Sequence, residues 1–467
     1  MEVRVNKPRK SISPCSRWIF LLCAAAIASP SQTFTTLVNF DGTNGAGPTE
    51  SLVQGINGML YGTTTDGGTS NVGTIFAMTP QGQLKSLLSF KGSDGFSPEC
   101  PLMAGPNGTL YGTTEGGTGD SRGGTVFRTT PSGTLTTLFS FDYTDGGGPT
   151  AGLVQAFNGM LYGTTSAFGA NHDGTIFEIT PSGTVTTLHS FAGTDGATPA
   201  SALIQASNGL LYGTTYAGGA YESGTIYTIS QSGTFTTLYN FDFAVGGGSG
   251  PQASLVEGAD RNFYGTTKYG GAHNYGTVFQ ITPGGTLTIL HSFDNTDGAL
   301  PCAALVQGTD GNFYGTTAAG GTGEAGTIFQ ITSAGALTTL YNFNTQGGYA
   351  PYGGLVQDTD GNFYGTAASG GPTSNGTVYS LNVGLGPFVE TLPAFGKVGA
   401  RITILGTDLT GATSVTFNGT AATSFTVNAP SEITATVPAG ATTGAVQVTT
   451  PSGALSSNTA FLVRPTP

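Results

Sequence analysis

Charge is scarce in this chain. Only 9% of its residues are Asp, Glu, Lys or Arg, and just 14 of the 467 are basic against 26 acidic. Binding to nucleic acid depends on neutralising phosphates with Lys and Arg, so this balance argues against a nucleic-acid partner, and equally against an anionic membrane surface. Cysteine is nearly absent too, with four residues, so the chain is no disulfide scaffold. After the first thirty residues no apolar run is long enough for a transmembrane anchor.

That first stretch is a case of its own. Arg4, Lys7, Arg9, Lys10 and Arg17 precede the apolar run Trp18–Ile27, which closes on Ala26-Ile27-Ala28. A basic region, a short apolar core and an A-x-A site make a cleaved secretory signal over 1–28, with the mature chain starting at Ser29. Phe20-Leu21-Leu22 before Cys23 is a poor lipoprotein box, which favours release over lipid anchoring. Export places the protein outside the cell or on its surface. Cleavage leaves 9 basic and 25 acidic residues, a formal charge of −16. Only Cys100 and Cys302 remain, in distant units and at different positions, and they read as two buried thiols rather than a bridge.

Glycine, by contrast, is abundant at 77 residues, and it keeps time. The run Leu60-Tyr61-Gly62-Thr63-Thr64 returns with tyrosines at 111, 162, 212, 264, 314 and 364, at intervals of 50 to 52 residues. A fixed period of this length signals stacked supersecondary units. Each unit holds four β-type runs, here called A to D. In the fourth unit these are Leu203-Ile204-Gln205 (A), Leu211-Tyr212-Gly213-Thr214-Thr215 (B), Thr225-Ile226-Tyr227-Thr228-Ile229 (C) and Phe235-Thr236-Thr237-Leu238-Tyr239-Asn240-Phe241 (D). A and B join through Asn-Gly or Asp-Gly, a strong hairpin signal, and C and D through Pro-Ser-Gly or its variants. The B–C and D–A links are longer, about eight residues.

Seven units of four antiparallel strands predict an all-β fold, a seven-bladed β-propeller over 29–383. A lone D-type strand, Thr35–Phe40, precedes the first A run, and the seventh unit stops after its C run, so the N-terminal strand is expected to complete the seventh blade and close the ring. The rival is an open array of seven self-contained units. Alternating strand direction puts all the long B–C and D–A loops on one face, where recognition is expected.

The period ends at Leu381. Gly384-Leu385-Gly386-Pro387 reads as a linker (384–387), and 388–467 as an immunoglobulin-like β-sandwich of short alternating strands, among them Arg401–Leu405, Ser414–Phe417, Ile433–Val437 and Ala445–Thr449. This segment, through Gly399-Ala400-Arg401-Ile402-Thr403-Ile404-Leu405-Gly406 and Ser414-Val415-Thr416-Phe417-Asn418-Gly419, resembles an IPT/TIG domain. The seven units resemble the GloVer tandem repeat of secreted bacterial "choice-of-anchor" proteins, through the Leu-Tyr-Gly-Thr-Thr and Gly-Thr-Ile-Phe frames. That resemblance implies an extracellular location and brings no established activity with it.

Chemistry is harder to read. His189 and His291 share a D-strand slot with Phe139, Tyr239 and Tyr341 and so belong to the framework, while His172 and His273 sit in B–C loops with no partner pattern for a metal or a triad. Glu50, Glu99, Glu115, Glu222, Glu257 and Glu324 are scattered over the frame, although a propeller can gather residues of different blades at its mouth, where paired carboxylates would suit glycoside hydrolysis. The D–A turns carrying Asp94, Asp142, Asp145, Asp195, Asp294 and Asp297 offer oxygens to calcium, but lack the ligand spacing of a calcium loop and are explained as Asx turns. No cofactor and no catalytic or metal residue is assigned. The B–C loops of units three to five carry Phe168, His172, Tyr216, Tyr221, Tyr269, His273 and Tyr275, an aromatic sector suited to stacking on sugar rings or a protein partner. The reading is therefore a non-catalytic binding or surface-interaction protein for an extracellular glycan or protein, with an extracellular carbohydrate-active enzyme and a structural repeat scaffold as the alternatives.

Overall fold

A computed structural model describes residues 32–117 and 123–464; the signal assigned to 1–28 lies outside them. Among the described residues the period resolves into seven four-stranded antiparallel sheets with strands in the order A-B-C-D. Six sheets take all their strands from one unit. The seventh takes Val356–Gln357, Phe363–Ala367 and Thr377–Asn382, and its fourth strand is the N-terminal Thr33–Asn39, paired to Thr377–Asn382. The A runs are shorter than their sequence suggests, two residues of ladder each, such as Val53–Gln54 and Ile204–Gln205. One 3₁₀ turn, Phe243–Val245, interrupts a D–A link. No helix among the described residues is long and apolar enough to cross a membrane.

The repeated pentapeptide explains how the sheets pack. In the first sheet Leu60 is fully buried, and Tyr61 reaches the apolar side chains of the next sheet, where Leu102, Leu110 and Phe127 receive it. Gly62 is needed because a Cβ there would lie 2.6 Å from Phe76 Cζ. The two threonines divide the work. Thr63 Oγ1 donates across the gap to the Cys100 carbonyl at 3.2 Å, while Thr64 Oγ1 shares a 2.8 Å hydrogen bond with Thr74 Oγ1 inside its own sheet. The first of these bonds has an equivalent at each of the seven sheet junctions, and the last, Thr366 Oγ1 to the Glu50 carbonyl at 2.9 Å, ties the seventh sheet to the first. Apolar clusters follow the same order, and one joins Tyr364 and Val378 of the seventh sheet to Leu52, Leu60 and Phe76 of the first. Burying a Phe or Tyr side chain contributes roughly 1.5–3 kcal/mol, so each junction has its own small core.

A second clasp lies on the A–B turn face. The Gln of an A strand accepts the N–H of the preceding sheet's A–B turn: Phe157 N to Gln205 Oε1 (2.6 Å), Ala259 N to Gln307 Oε1 (3.1 Å), Thr309 N to Gln357 Oε1 (3.1 Å) and Thr359 N to Gln54 Oε1 (3.3 Å), with Glu257 replacing Gln for Ser207 N (2.8 Å). The second sheet breaks the series, because Ala104 has no acceptor and Pro106 no N–H. Its turn is met instead by the C-terminal region.

That region forms two four-stranded sheets, one from Val389–Leu392, Arg401–Gly406, Glu432–Thr436 and Ser424–Ala429, the other from Thr420–Ala421, Ser414–Phe417, Val446–Thr450 and Gly453–Ser456. Ile402, Ile404, Val415, Phe417, Ile433, Val446, Val448 and Phe461 fill the space between them. The four strands expected from sequence fall within one residue of those observed. The region sits on the A–B turns, where Thr403 Oγ1 donates to the Pro106 carbonyl (3.2 Å), Ser431 Oγ to the Ile56 carbonyl (3.3 Å) and Asn458 Nδ2 to the Gln307 carbonyl (2.8 Å).

Candidate functional site

Each unit has a proline just before its A strand: Pro48, Pro98, Pro149, Pro199, Pro251, Pro301 and Pro351. The ring lies against a glycine of the preceding sheet, so tightly that a Cβ on Gly276 would come within 2.5 Å of Pro301 Cδ. The frame thereby aims the next residue inward. Those seven residues, Thr49, Glu99, Thr150, Ala200, Gln252, Cys302 and Tyr352, all line one cavity of about 340 Å³ shared by the seven sheets. Glu50, Lys268 and three serines, Ser51, Ser201 and Ser254, add to its polar lining.

Two carboxyls dominate it. Burial pushes the Glu50 carboxyl up to about 8, helped by the Glu99 charge and opposed by Thr49. Glu99 is raised as well, by burial and then by Glu115 and Asp66. Desolvation disfavours the ionised form and a like charge adds to it. Gln252 Oε1 is buried with no partner among the described residues, and an unsatisfied buried acceptor costs roughly 1–3 kcal/mol. Cys302 is half-buried at the wall, a correction to the expected pair of buried thiols, because its position points into the cavity whereas Cys100, one place further along its own frame, is fully buried. Both thiols are free.

The aromatic sector divides. Tyr216 and Tyr269 are half-buried and adjacent: burial, then the neighbouring Tyr269, raises the Tyr216 phenol, and Lys268 Nζ lies 5.6 Å from the Tyr269 ring centre. Lys268 also lines the cavity, so the two tyrosines lie close to its wall without forming part of the lining. Phe168 and His172 form a separate exposed group, with Phe168 against Tyr143 (ring centres 4.3 Å) and at 6.3 Å from His172. Phe168 holds φ +62° where the fourth unit has Gly218 at +73°, a left-handed backbone rarely given to a bulky residue. Tyr221, His273 and Tyr275 are exposed. Tyr221 is 57% exposed, and Phe243 and Val245, absent from the sequence reading, are exposed as well.

His189 Nε2 and His291 Nε2 lie 2.9 and 2.6 Å from Asp195 and Asp297, framework pairs rather than convergent groups. The D–A carboxylates accept from their own turns, Ala192 N to Asp195 Oδ1 and Thr296 N to Asp294 Oδ1 both at 2.9 Å. Hydrogen bonds led by Thr144 and by Thr296 hold Asp142 and Asp294 below the usual carboxylate range.

Sequence alone names Glu50 and Glu99 only among scattered glutamates that a propeller mouth could gather, and does not group them with Gln252, Cys302 and Tyr352. The structure brings Glu50 and Glu99 to one cavity. The signal is present in the sequence: a fixed proline followed by a position that varies from unit to unit.

Repeated four-stranded sheets gathered about one lined cavity define a repeat protein of β-propeller-like fold. A family model matches residues 26–220, 118–309 and 202–430, most of the chain, and the protein belongs to the Gloeobacter/Verrucomicrobia repeat family. No curated protein matches it. Among solved structures it is similar to a fungal alcohol oxidase of the AA5 family in complex with copper, at 13% identity over 93% of this chain and 99% of that one, with a TM-score of 0.53. Proposed 6-phosphogluconolactonases of Bacteroides uniformis (17% identity, 66% and 88% covered, TM-score 0.47) and Bacteroides fragilis (18%, 66% and 87%, 0.46) also match. The oxidase likeness speaks to fold alone. Among the described residues no three His, Cys, Asp or Glu side chains converge as a bound metal would require.

Proposed function

We propose that this is an exported, non-catalytic binding protein that holds the end of an extracellular glycan at the mouth of a closed seven-bladed propeller, with the C-terminal region as an IPT/TIG-type immunoglobulin-like module. The carrying observation is the cavity ring after the seven prolines, which joins an unpartnered Gln252 acceptor, two carboxyls and Lys268 to Tyr216 and Tyr269 close to its wall. Convergent polar groups beside aromatic faces suit a polyhydroxylated ring, whose hydroxyls both donate and accept while its C–H face stacks. A volume of about 340 Å³ lies at the small end of ligand pockets, which favours a chain terminus. The bond from Thr366 to the Glu50 carbonyl and the clasp from Gln54 to Thr359 support ring closure. The test is retention of the full chain on a panel of polysaccharides, with released sugar assayed in the same tubes. Binding without release, lost on Gln252→Ala together with Tyr216→Ala and Tyr269→Ala, bears the reading out. Retention unchanged in that triple variant removes it.

A second reading rests on Glu50. A carboxyl that keeps its proton to about pH 8 beside Glu99 has the make-up of a general acid and its partner in glycoside cleavage. Released sugar that disappears in Glu50→Gln would establish this reading in place of the first.

A further inference from the structure

A second, larger cavity of about 660 Å³ lies where the C-terminal region meets the A–B turns. Its walls are largely apolar. Leu153 and Phe157 come from the repeat sheets, and Leu392, Phe395 and Ala445 from the C-terminal region. Phe157 and Phe395 meet edge to face across the junction, with ring centres 4.8 Å apart.

The polar groups are unequal in sign. Along Val389–Leu392 the side chains alternate, Val389 and Thr391 turning into the C-terminal core, Glu390 and Leu392 outward to the cavity. Most of the donors around it already hold a partner. Arg261 pairs with Glu257 at 3.3 Å, the Arg464 guanidinium donates to the Phe157 carbonyl, Asn458 donates to the Gln307 carbonyl, and the side-chain amides of Gln205 and Gln307 donate to Gly209 and Gly311. Two acceptors do not. Among the described residues Glu390 has no hydrogen-bond or ion-pair partner, and Gln155 Oε1 accepts no hydrogen bond, since the turn position that would supply the N–H in the repeated clasp is Pro106. Burial raises the Glu390 carboxyl, and an ammonium group beside it would act the other way by favouring the ionised form.

We propose that this cavity is a binding site for a small organic ammonium ion with an apolar body. The hydrocarbon part replaces water along Leu153, Phe157, Leu392 and Phe395. The ammonium group supplies the hydrogens that Glu390 and Gln155 lack, and a carboxylate among acceptors selects a cation over a neutral donor.

The test uses the full chain and two probes of one shape, 2-phenylethylammonium chloride and 2-phenylethanol, titrated calorimetrically at neutral pH. The ammonium is expected to bind about tenfold more tightly or better, the scale of a hydrogen bond to a charged group. Glu390→Gln should erase the preference while leaving the alcohol unchanged, and Gln155→Leu should weaken the ammonium several-fold. Ala445→Trp, which fills the space from the C-terminal side, should abolish both with the near-ultraviolet circular dichroism retained. The proposal falls if neither probe binds the wild-type chain, if both bind equally, or if the preference survives in Glu390→Gln. Retention on polysaccharide should not respond to these substitutions, so this site and the mouth cavity stand or fall separately.

Discussion

Gln54 and Thr359, 305 residues apart, hold each other twice: Gln54 Nε2 donates to Thr359 Oγ1 at 2.8 Å, and Thr359 N donates to Gln54 Oε1 at 3.3 Å. Both side chains are buried. The pair repeats the clasp found between sheets that follow one another in sequence, but here it joins the seventh sheet to the first. With Thr366 bonded to the Glu50 carbonyl on the same junction, the contact also fixes the backbone that presents Glu50 to the cavity. Architecture and site thus share one seam.

Replacing Gln54 by Leu strands the Thr359 N–H in a buried place. We expect a loss of about 1–3 kcal/mol, read as a lower denaturant midpoint, together with weaker retention on glycan because the Glu50 strand loosens. Gln307→Leu, made between sheets adjacent in sequence, should cost comparable stability and leave retention intact. Equal retention in the two variants would separate the seam from the site.

Tyr227 and Tyr379 occupy the C-strand position held by Phe76, Phe127, Phe177, Phe279 and Phe329 in the other sheets. Their hydroxyls are buried without a partner among the described residues. Since the surrounding frame already accepts Phe, Tyr227→Phe and Tyr379→Phe should each raise stability, by about 1 kcal/mol, through removal of an unsatisfied hydroxyl. A drop in the thermal midpoint of either variant would show that the hydroxyl is satisfied in solution.

The pH dependence of stability follows from Glu50. Its carboxyl titrates near 4.5 when unperturbed and at about 8 in the folded chain. Between those values the folded state binds more protons than the unfolded one, so this group's contribution is full below about pH 4.5 and is lost as pH rises through about 8. Asp358, buried with Oδ1 unpartnered and raised to about 8 by burial and then Asp360, adds a slope of the same sign. Thermal midpoints measured from pH 5 to 8.5 should therefore fall, and fall less in Glu50→Gln. An identical slope in that variant would mean the cavity is wet enough to leave Glu50 at its ordinary value.

How far sequence carried the reading depends on the kind of information each residue holds. Tyr61, Gly62, Thr63 and Thr64 are legible because the same contacts recur at every junction, so periodicity exposes them. The C-terminal strands were equally plain, since Val415 and Phe417 alternate with Thr416 as a half-buried strand must. The cavity ring was not seen because its chemistry is the part that does not repeat: Thr49, Glu99, Gln252 and Cys302 share a position and nothing else. Their convergence depends on seven sheets meeting, which no local pattern states. The aromatic sector was assembled from loop membership alone, and loop membership does not distinguish Tyr216 and Tyr269, close to the cavity wall beside Lys268, from Tyr221 and Tyr275, turned to solvent. The role of Pro106 is hidden for a related reason, since an absent N–H matters only once the clasp between an A-strand Gln and the preceding turn is seen at the other junctions.

Cys302 offers a direct probe of the mouth. Burial pushes its thiol up to about 11, with Lys268 acting the other way, and its Sγ rests 3.2 Å from the Leu300 carbonyl. Cys100 is pushed up to about 12 by complete burial and hydrogen-bonds the Thr113 carbonyl. The thiolate is the reactive form, so iodoacetamide at pH 8.5 should label Cys302 slowly and leave Cys100 untouched in the native chain, with both labelled once it is unfolded. A glycan that enters the cavity covers the Cys302 wall, and saturating ligand should slow that labelling several-fold. Phenylethylammonium, directed to the junction below Glu390, should not. If a retained glycan leaves the Cys302 rate unchanged, recognition belongs to the outer loops around Phe168, Tyr221 and Tyr275, and the cavity ring is only the place where seven prolines happen to turn.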